Sequence, residues 1–304
     1  MPTFFFLTLS LALSSSFCID AARPKKVSPL IRIPCKTIEA GPATIYIHGT
    51  LFQTQRHATT PRRGLYHYSS KDCPESSREY IDRALHLGNP TQFPQEHFYK
   101  FYWSGKLHSV DRKKAAEDLL SVLEVSKGPI TIIAHSHGCN VALVMGEIAQ
   151  QRKKTSALVD RLILLAPPVQ EATSTYVNSP IFKRVYSLYS TADVAQVVDP
   201  QIWYSSTTMP GHIFSKRTFA ASPKLLQARV LIIGQSPGHQ DFIQPRFFKQ
   251  LFDIIDLLDR AQSQGTLQEN CCINIPFQSK APYILKKPYT YSPRRINNCS
   301  CTRK

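Results

Sequence analysis

The chemistry of this chain concentrates in one short run, Ala134-His135-Ser136-His137-Gly138, delivered by the apolar stretch Ile130-Thr131-Ile132-Ile133. A serine hydroxyl is a poor nucleophile unless a base takes its proton and a third group holds that base. The same serine could instead cap the helix that follows. His135 and His137 crowd the turn too closely to bind one metal with good geometry. Zinc is disfavoured elsewhere as well: Cys271-Cys272 and Cys299-x-Cys301 lack the usual two-to-four-residue spacer and have no nearby histidine. Disulfides are the better expectation for the even set Cys35, Cys73, Cys271, Cys272, Cys299 and Cys301, with the pairing left open. Cys139 reads as a small apolar helix residue.

The elements that must position Ser136 follow from periodicity. Short β-branched or aromatic runs ended by turn residues read as buried strands at 43–50, 98–103, 130–134, 161–166, 185–189 and 229–234. Between Asp111 and Glu124, Ala115, Ala116, Leu119, Leu120 and Leu123 recur with helical period. Asn140 to Lys154 is helical again, and Phe247, Phe248, Leu251, Ile254, Ile255 and Leu258 define a closing helix. Apolar strands alternating with helices imply an α/β fold, a mostly parallel sheet covered on both faces. No internal repeat is evident. Four segments result: a signal-like stretch at 1–21, a linker at 22–42, the α/β domain at 43–264, and a Cys-rich basic extension at 265–304.

A strand, the run Ala134-His135-Ser136-His137-Gly138 and a helix in direct succession resemble the nucleophile elbow of the α/β-hydrolase superfamily, in its lipase and esterase branch. Residues two before and two after the serine are small so that strand and helix can approach; Ala134 stands where glycine is commoner. The resemblance covers roughly residues 43–260. It implies a chain order of serine, acid, histidine, each after a strand. Asp193, beyond strand 185–189, is then the acid, with Asp199 and Asp241 as rivals. His239, in the turn beyond strand 229–234, is the base, with His212 as its rival. The resemblance also implies an oxyanion hole from the backbone N–H of His137 and, in the turn His48-Gly49-Thr50-Leu51, that of Thr50. His48 either shapes this turn or is a strand-end histidine satisfied by backbone. Trp103 either lines the pocket or packs.

Hydrophobic residues make up 42% of the 304 and charged residues 19%, enough for a sizeable core, which excludes wholesale disorder. A mean hydropathy of -0.21 and the lack of a second long apolar run exclude a polytopic membrane protein. The net charge of +16 favours anionic partners such as a phospholipid surface. Nucleic acid is not expected, since charge alone points to it. The uncharged apolar start, residues 1–17, resembles a secretory signal, so export is expected; Cys18 raises a lipid anchor, which the bulky Phe17 disfavours. Together these readings predict a serine hydrolase of carboxylic esters, acyl lipid above all, needing no cofactor. The alternatives are an acyltransferase with the same triad and a non-catalytic hydrolase-fold binding protein. Residues 52–75 and 200–226 are candidates for selectivity-giving insertions.

Overall fold

The computed structural model describes residues 35–50, 63–68, 80–199, 214–267, 271–276 and 281–285. The signal-like start, Cys18, His212, Cys73, Cys299, Cys301 and most of both insertions lie outside the described residues.

Nine strands among the described residues form one sheet: β1 (Ala43–Ile47), β2 (Gly64–His67), β3 (Phe98–Tyr102), β4 (Ile130–His135), β5 (Val159–Leu165), β6 (Phe182–Tyr189), β7 (Leu225–Ile232), β8 (Cys271–Ile275) and β9 (Tyr283–Ile284). Their spatial order is β2-β3-β1-β4-β5-β6-β7-β8-β9. Pairing is parallel from β3 through β8, and each edge adds one antiparallel strand, β2 on β3 and β9 on β8. The central strand β4 is buried on both faces, as its run of Ile and Ala demands.

Helices α1 (Tyr80–Gly88), α2 (Ser109–Val125), α3 (His137–Gln151), α4 (Glu171–Ser174), α5 (Pro245–Phe248) and α6 (Leu251–Ser263), with short 3-10 turns at Gln95–His97, Thr175–Asn178 and His239–Ile243, complete the described elements. One apolar layer joins α2 and α3 to the sheet through Leu119, Leu120, Val141, Met145, Ile132 and Leu164. The opposite layer seats α1, α5 and α6 through Leu85, Phe247, Ile254 and Leu258 on Ile133, Ile163 and Val230. Ser136, Asp193 and His239 then follow the carboxyl ends of the parallel strands β4, β6 and β7, where an open α/β sheet leaves its crevice.

Three readings are corrected. The sheet takes in Cys271–Ile275 and Tyr283–Ile284, which the loss of helical period at 265 had left to the C-terminal extension. Cys35, Cys271 and Cys272 are free thiols rather than disulfide partners. Cys271 and Cys272 are consecutive on β8, so they point to opposite faces and are both buried, and burial pushes the Cys271 thiol up to about 12. The closing helix is also two pieces, α5 and α6, separated at Lys249 and Gln250.

Candidate active site

Ser136 sits between β4 and α3 with φ 55 and ψ -130, a left-handed conformation that costs a non-glycine residue of order 1–3 kcal/mol. Its hydroxyl does not cap α3, which removes the capping explanation for a serine at this position. The turn is pinned by the main chain: Ser136 N–H donates to Leu165 O at 3.0 Å, and Cys139 N–H to Ser136 O at 2.9 Å. Small residues are required around it. A Cβ on Gly138 would stand 2.6 Å from His48 O and 2.7 Å from Ile47 O, so the start of α3 can touch the end of β1 only as glycine. A Cβ on Gly49 would stand 2.7 Å from the Ser136 Cβ. The turn after β1 thus lies directly against the elbow.

That turn is braced from β3. Trp103 is 2% exposed and packs rather than lining an opening; its Nε1–H donates to His48 O at 2.8 Å, and its backbone N–H to His48 Nε2 at 3.3 Å. With Nε2 accepting, the proton is on His48 Nδ1, which donates to Gly49 O at 2.6 Å. His48 therefore both shapes the turn and is satisfied by backbone. Thr50 follows, its hydroxyl oxygen buried without a partner. His137 opens α3, where first-turn N–H groups have no intrahelical acceptor.

The acid and the histidine meet. His239 Nδ1 donates to Asp193 Oδ2 at 2.7 Å, and Asp193 Oδ1 accepts the Gln196 N–H at 3.0 Å. Asp193 is 1% exposed and held by its own main chain: Arg217 donates from Nε to Ser190 O and from Nη2 to Asp193 O, both at 3.1 Å. An ionised carboxylate on Nδ1 fixes the proton there and leaves Nε2 as the basic nitrogen. His239 also leans on the elbow: its ring centroid is 4.7 Å from that of His135, whose Nε2–H donates to the His239 carbonyl at 3.1 Å. Ser136 forms no hydrogen bond to His239 here; such catalytic bonds commonly tighten only with substrate bound.

The rival acids go elsewhere. Asp241 caps the short helix at His239–Ile243 and pairs with Arg246. Asp199 lies 3.4 Å from His137 Nε2 and accepts hydrogen bonds from Gln170 Nε2 at 2.6 Å and Ser215 Oγ at 2.8 Å. Burial alone would raise the Asp199 carboxyl, but the His137 imidazole close by and the bonds from Gln170 and Ser215 overcome it and hold it down at about 2. Burial pushes the His137 imidazole below the ordinary histidine range, against the pull of Asp199. The pair is a neutral imidazole beside an ionised carboxylate.

Sequence reasoning did not find Gln196, Arg217 or Gln170, polar residues in connections with no periodicity to mark them. Arg112 did carry a signal: it falls three and four residues before Ala115 and Ala116 on the apolar face of α2, and it is 8% exposed. Among the described residues, no group of three or more His, Cys, Asp or Glu side chains could hold a metal ion.

A family model described as "Alpha/beta hydrolase of unknown function (DUF900)" matches residues 94–270, more than half of the chain. The chain belongs to this α/β-hydrolase family. The match runs from β3 through the elbow, Asp193 and His239 to the residue before β8. No curated protein matches the sequence. Among solved structures, this α/β-hydrolase is similar to lipase B of Aspergillus fumigatus, with 14% identity and a TM-score of 0.37 over 73% of this chain and 52% of the lipase. It thus spans about half the length of that lipase. It is also similar to an esterase of Rhizomucor miehei, with 13% identity and a TM-score of 0.38 over 74% of this chain and 75% of the other. A third likeness is to a hyperthermophilic esterase of the archaeon Pyrobaculum calidifontis, at 14% identity, TM-score 0.35, and 75% and 77% coverage.

Proposed function

We propose that this α/β-hydrolase is a serine hydrolase of carboxylic esters, working through an acyl-enzyme. One observation carries the reading: the 2.7 Å bond from His239 Nδ1 to a buried Asp193, with His239 packed on the residue that precedes Ser136. Ser136 Oγ attacks the ester carbonyl while its proton passes to His239 Nε2. The carbonyl oxygen becomes an oxyanion, for which the His137 and Thr50 N–H groups are the proposed donors. Collapse breaks the bond to the leaving alcohol, which departs with the proton from His239. Water then attacks the acyl-enzyme, gives its proton to His239, and releases the acid as that proton returns to Ser136. Asp193 keeps the imidazole in the required tautomer and stabilises the imidazolium. The substrate is an acyl lipid or a related acyl ester. The net charge of +16 supports action at an anionic membrane surface, and the signal-like start supports export.

Ser136→Ala is expected to lower ester hydrolysis by a factor on the order of 10³ or more and to abolish labelling by a fluorophosphonate. Labelling that persists in the variant would overturn the assignment.

A further inference from the structure

A second polar cluster lies buried beside the nucleophile, and the acyl-transfer steps above do not use its side chains. His137, Asp199, Gln170, Arg112 and Ser215 are each 8% exposed or less. Charged groups are rarely buried this deeply unless paired, and pairing seldom repays the whole desolvation cost. The cluster runs as a chain: His137 Nε2 to Asp199 Oδ1 at 3.4 Å, Gln170 Nε2–H to Asp199 Oδ2 at 2.6 Å, and Arg112 Nη2–H to Gln170 Oε1 at 3.4 Å. Arg112 is anchored in turn by Nη1–H to Leu107 O at 2.7 Å, and Ser215 Oγ donates to Asp199 Oδ2 at 2.8 Å. Four chain segments are thereby stapled together: α2, the elbow, the connection after β5 and the connection after β6. Among the described residues, the polar contact of the His137 ring is this 3.4 Å approach to Asp199 Oδ1; neither its Nδ1 nor that Oδ1 makes a hydrogen bond, so the ring and that oxygen each have the other as nearest polar support.

We propose that Asp199, acting through His137, is a positioning residue that aims the His137 backbone N–H at the oxyanion. This deepens the ester-hydrolase reading and rests on it. The connection after β6 then carries two carboxylates with separate tasks, Asp193 orienting the base and Asp199 orienting the oxyanion donor. Misplacing a catalytic group by about 1 Å can cost on the order of 100-fold, and removing one oxyanion donor on the order of 10²–10³. Losing the tether while keeping the donor belongs at or below the first figure.

The test compares Asp199→Asn, His137→Gln and the double variant with wild type. It measures kcat and KM on p-nitrophenyl butyrate, and inhibition by an alkyl trifluoromethyl ketone whose adduct with serine carries the oxyanion. We expect kcat to fall by about 10- to 100-fold with KM within about twofold, and the ketone to weaken by the same factor as kcat/KM. The double variant should lose no more than the worse single one, since both act through one tether. Ser215→Ala, whose losses include the bond to Asp199 Oδ2, should move kcat and ketone affinity together by a smaller factor and decides the matter if Asp199→Asn does not fold. A purely structural role predicts a lower melting temperature with unchanged kcat per labelled site, and that result overturns the proposal. So do multiplicative losses in the double variant. Fluorophosphonate titration separates the two claims: an unlabelled wild type defeats the ester-hydrolase reading, whereas a labelled wild type with equally active variants defeats only the role of Asp199.

Discussion

Ser136 is followed and faced by two histidine–carboxylate pairs made of the same residue types and joined through opposite ring nitrogens. In the first, His239 holds Asp193 through Nδ1 at 2.7 Å and its side chain is 17% exposed. In the second, His137 meets Asp199 through Nε2 at 3.4 Å and its side chain is 9% exposed. The choice of nitrogen decides the outcome. Binding through Nδ1 leaves the outer nitrogen for a reacting proton, whereas binding through Nε2 commits the outer nitrogen to the protein. Each pair has its own arginine: Arg217 on the carbonyls of Ser190 and Asp193, and Arg112 on the glutamine that bonds Asp199. A histidine beside an aspartate is therefore not yet a base; the ring must present its other nitrogen outward.

Exchanging the carboxylates separates the pairs most sharply. Asp193→Asn should lower kcat on a soluble ester by a factor on the order of 10⁴, because an amide can hold the imidazole in the wrong tautomer. Asp199→Asn should cost at most about a hundredth of that factor. Steady-state kinetics on both variants checks this, and equal losses would erase the distinction. Arg217→Leu comes next. It removes two charge-assisted bonds to main-chain carbonyls at a half-buried site, which predicts a loss of about 2 kcal/mol of folding stability. Urea unfolding measures it, and a variant as stable as wild type would show that the connection after β6 holds its shape without Arg217.

How much of this was legible in the sequence depends on whether the pattern was local. The elbow was, because one strand, one turn and one helix are contiguous from Ile130 to Gln151. Asp193 and His239 were placed through chain order after β6 and β7, and the 2.7 Å contact brings them together across 46 residues. Strand β6 reads as five residues rather than eight because Lys183 and Arg184 break its apolar run; both are exposed, and Arg184 pairs with Asp259 on α6. Strand β2 is four residues on an edge, too short for an alternating pattern to stand out. The Asp199 cluster was invisible for a different reason. Its members come from four separate segments, and nothing in the type or spacing of Arg112, Gln170, Asp199 and Ser215 says that they converge.

The smallest expected effect distinguishes the sealed pair by its titration. Burial lowers the His137 imidazole in the folded protein, Asp199 opposes that shift, and Arg112 and His239 add to it. A folded-state value below the unfolded one means that the unfolded chain takes up the proton first as pH falls. The stability tied to His137 is therefore complete above about pH 6.5 and drains away below it, at no more than about 1.4 kcal/mol per pH unit for one proton. Asp199, held down at about 2, acts in a separate window: its contribution is complete above about pH 4 and is lost as pH falls toward about 2. Unfolding free energies of wild type and His137→Gln between about pH 7 and 5 should then differ in slope, with the wild type falling more steeply. Parallel lines would mean that the His137 ring titrates alike in the folded and unfolded chain, which a side chain sealed between Asp199 and the elbow should not do.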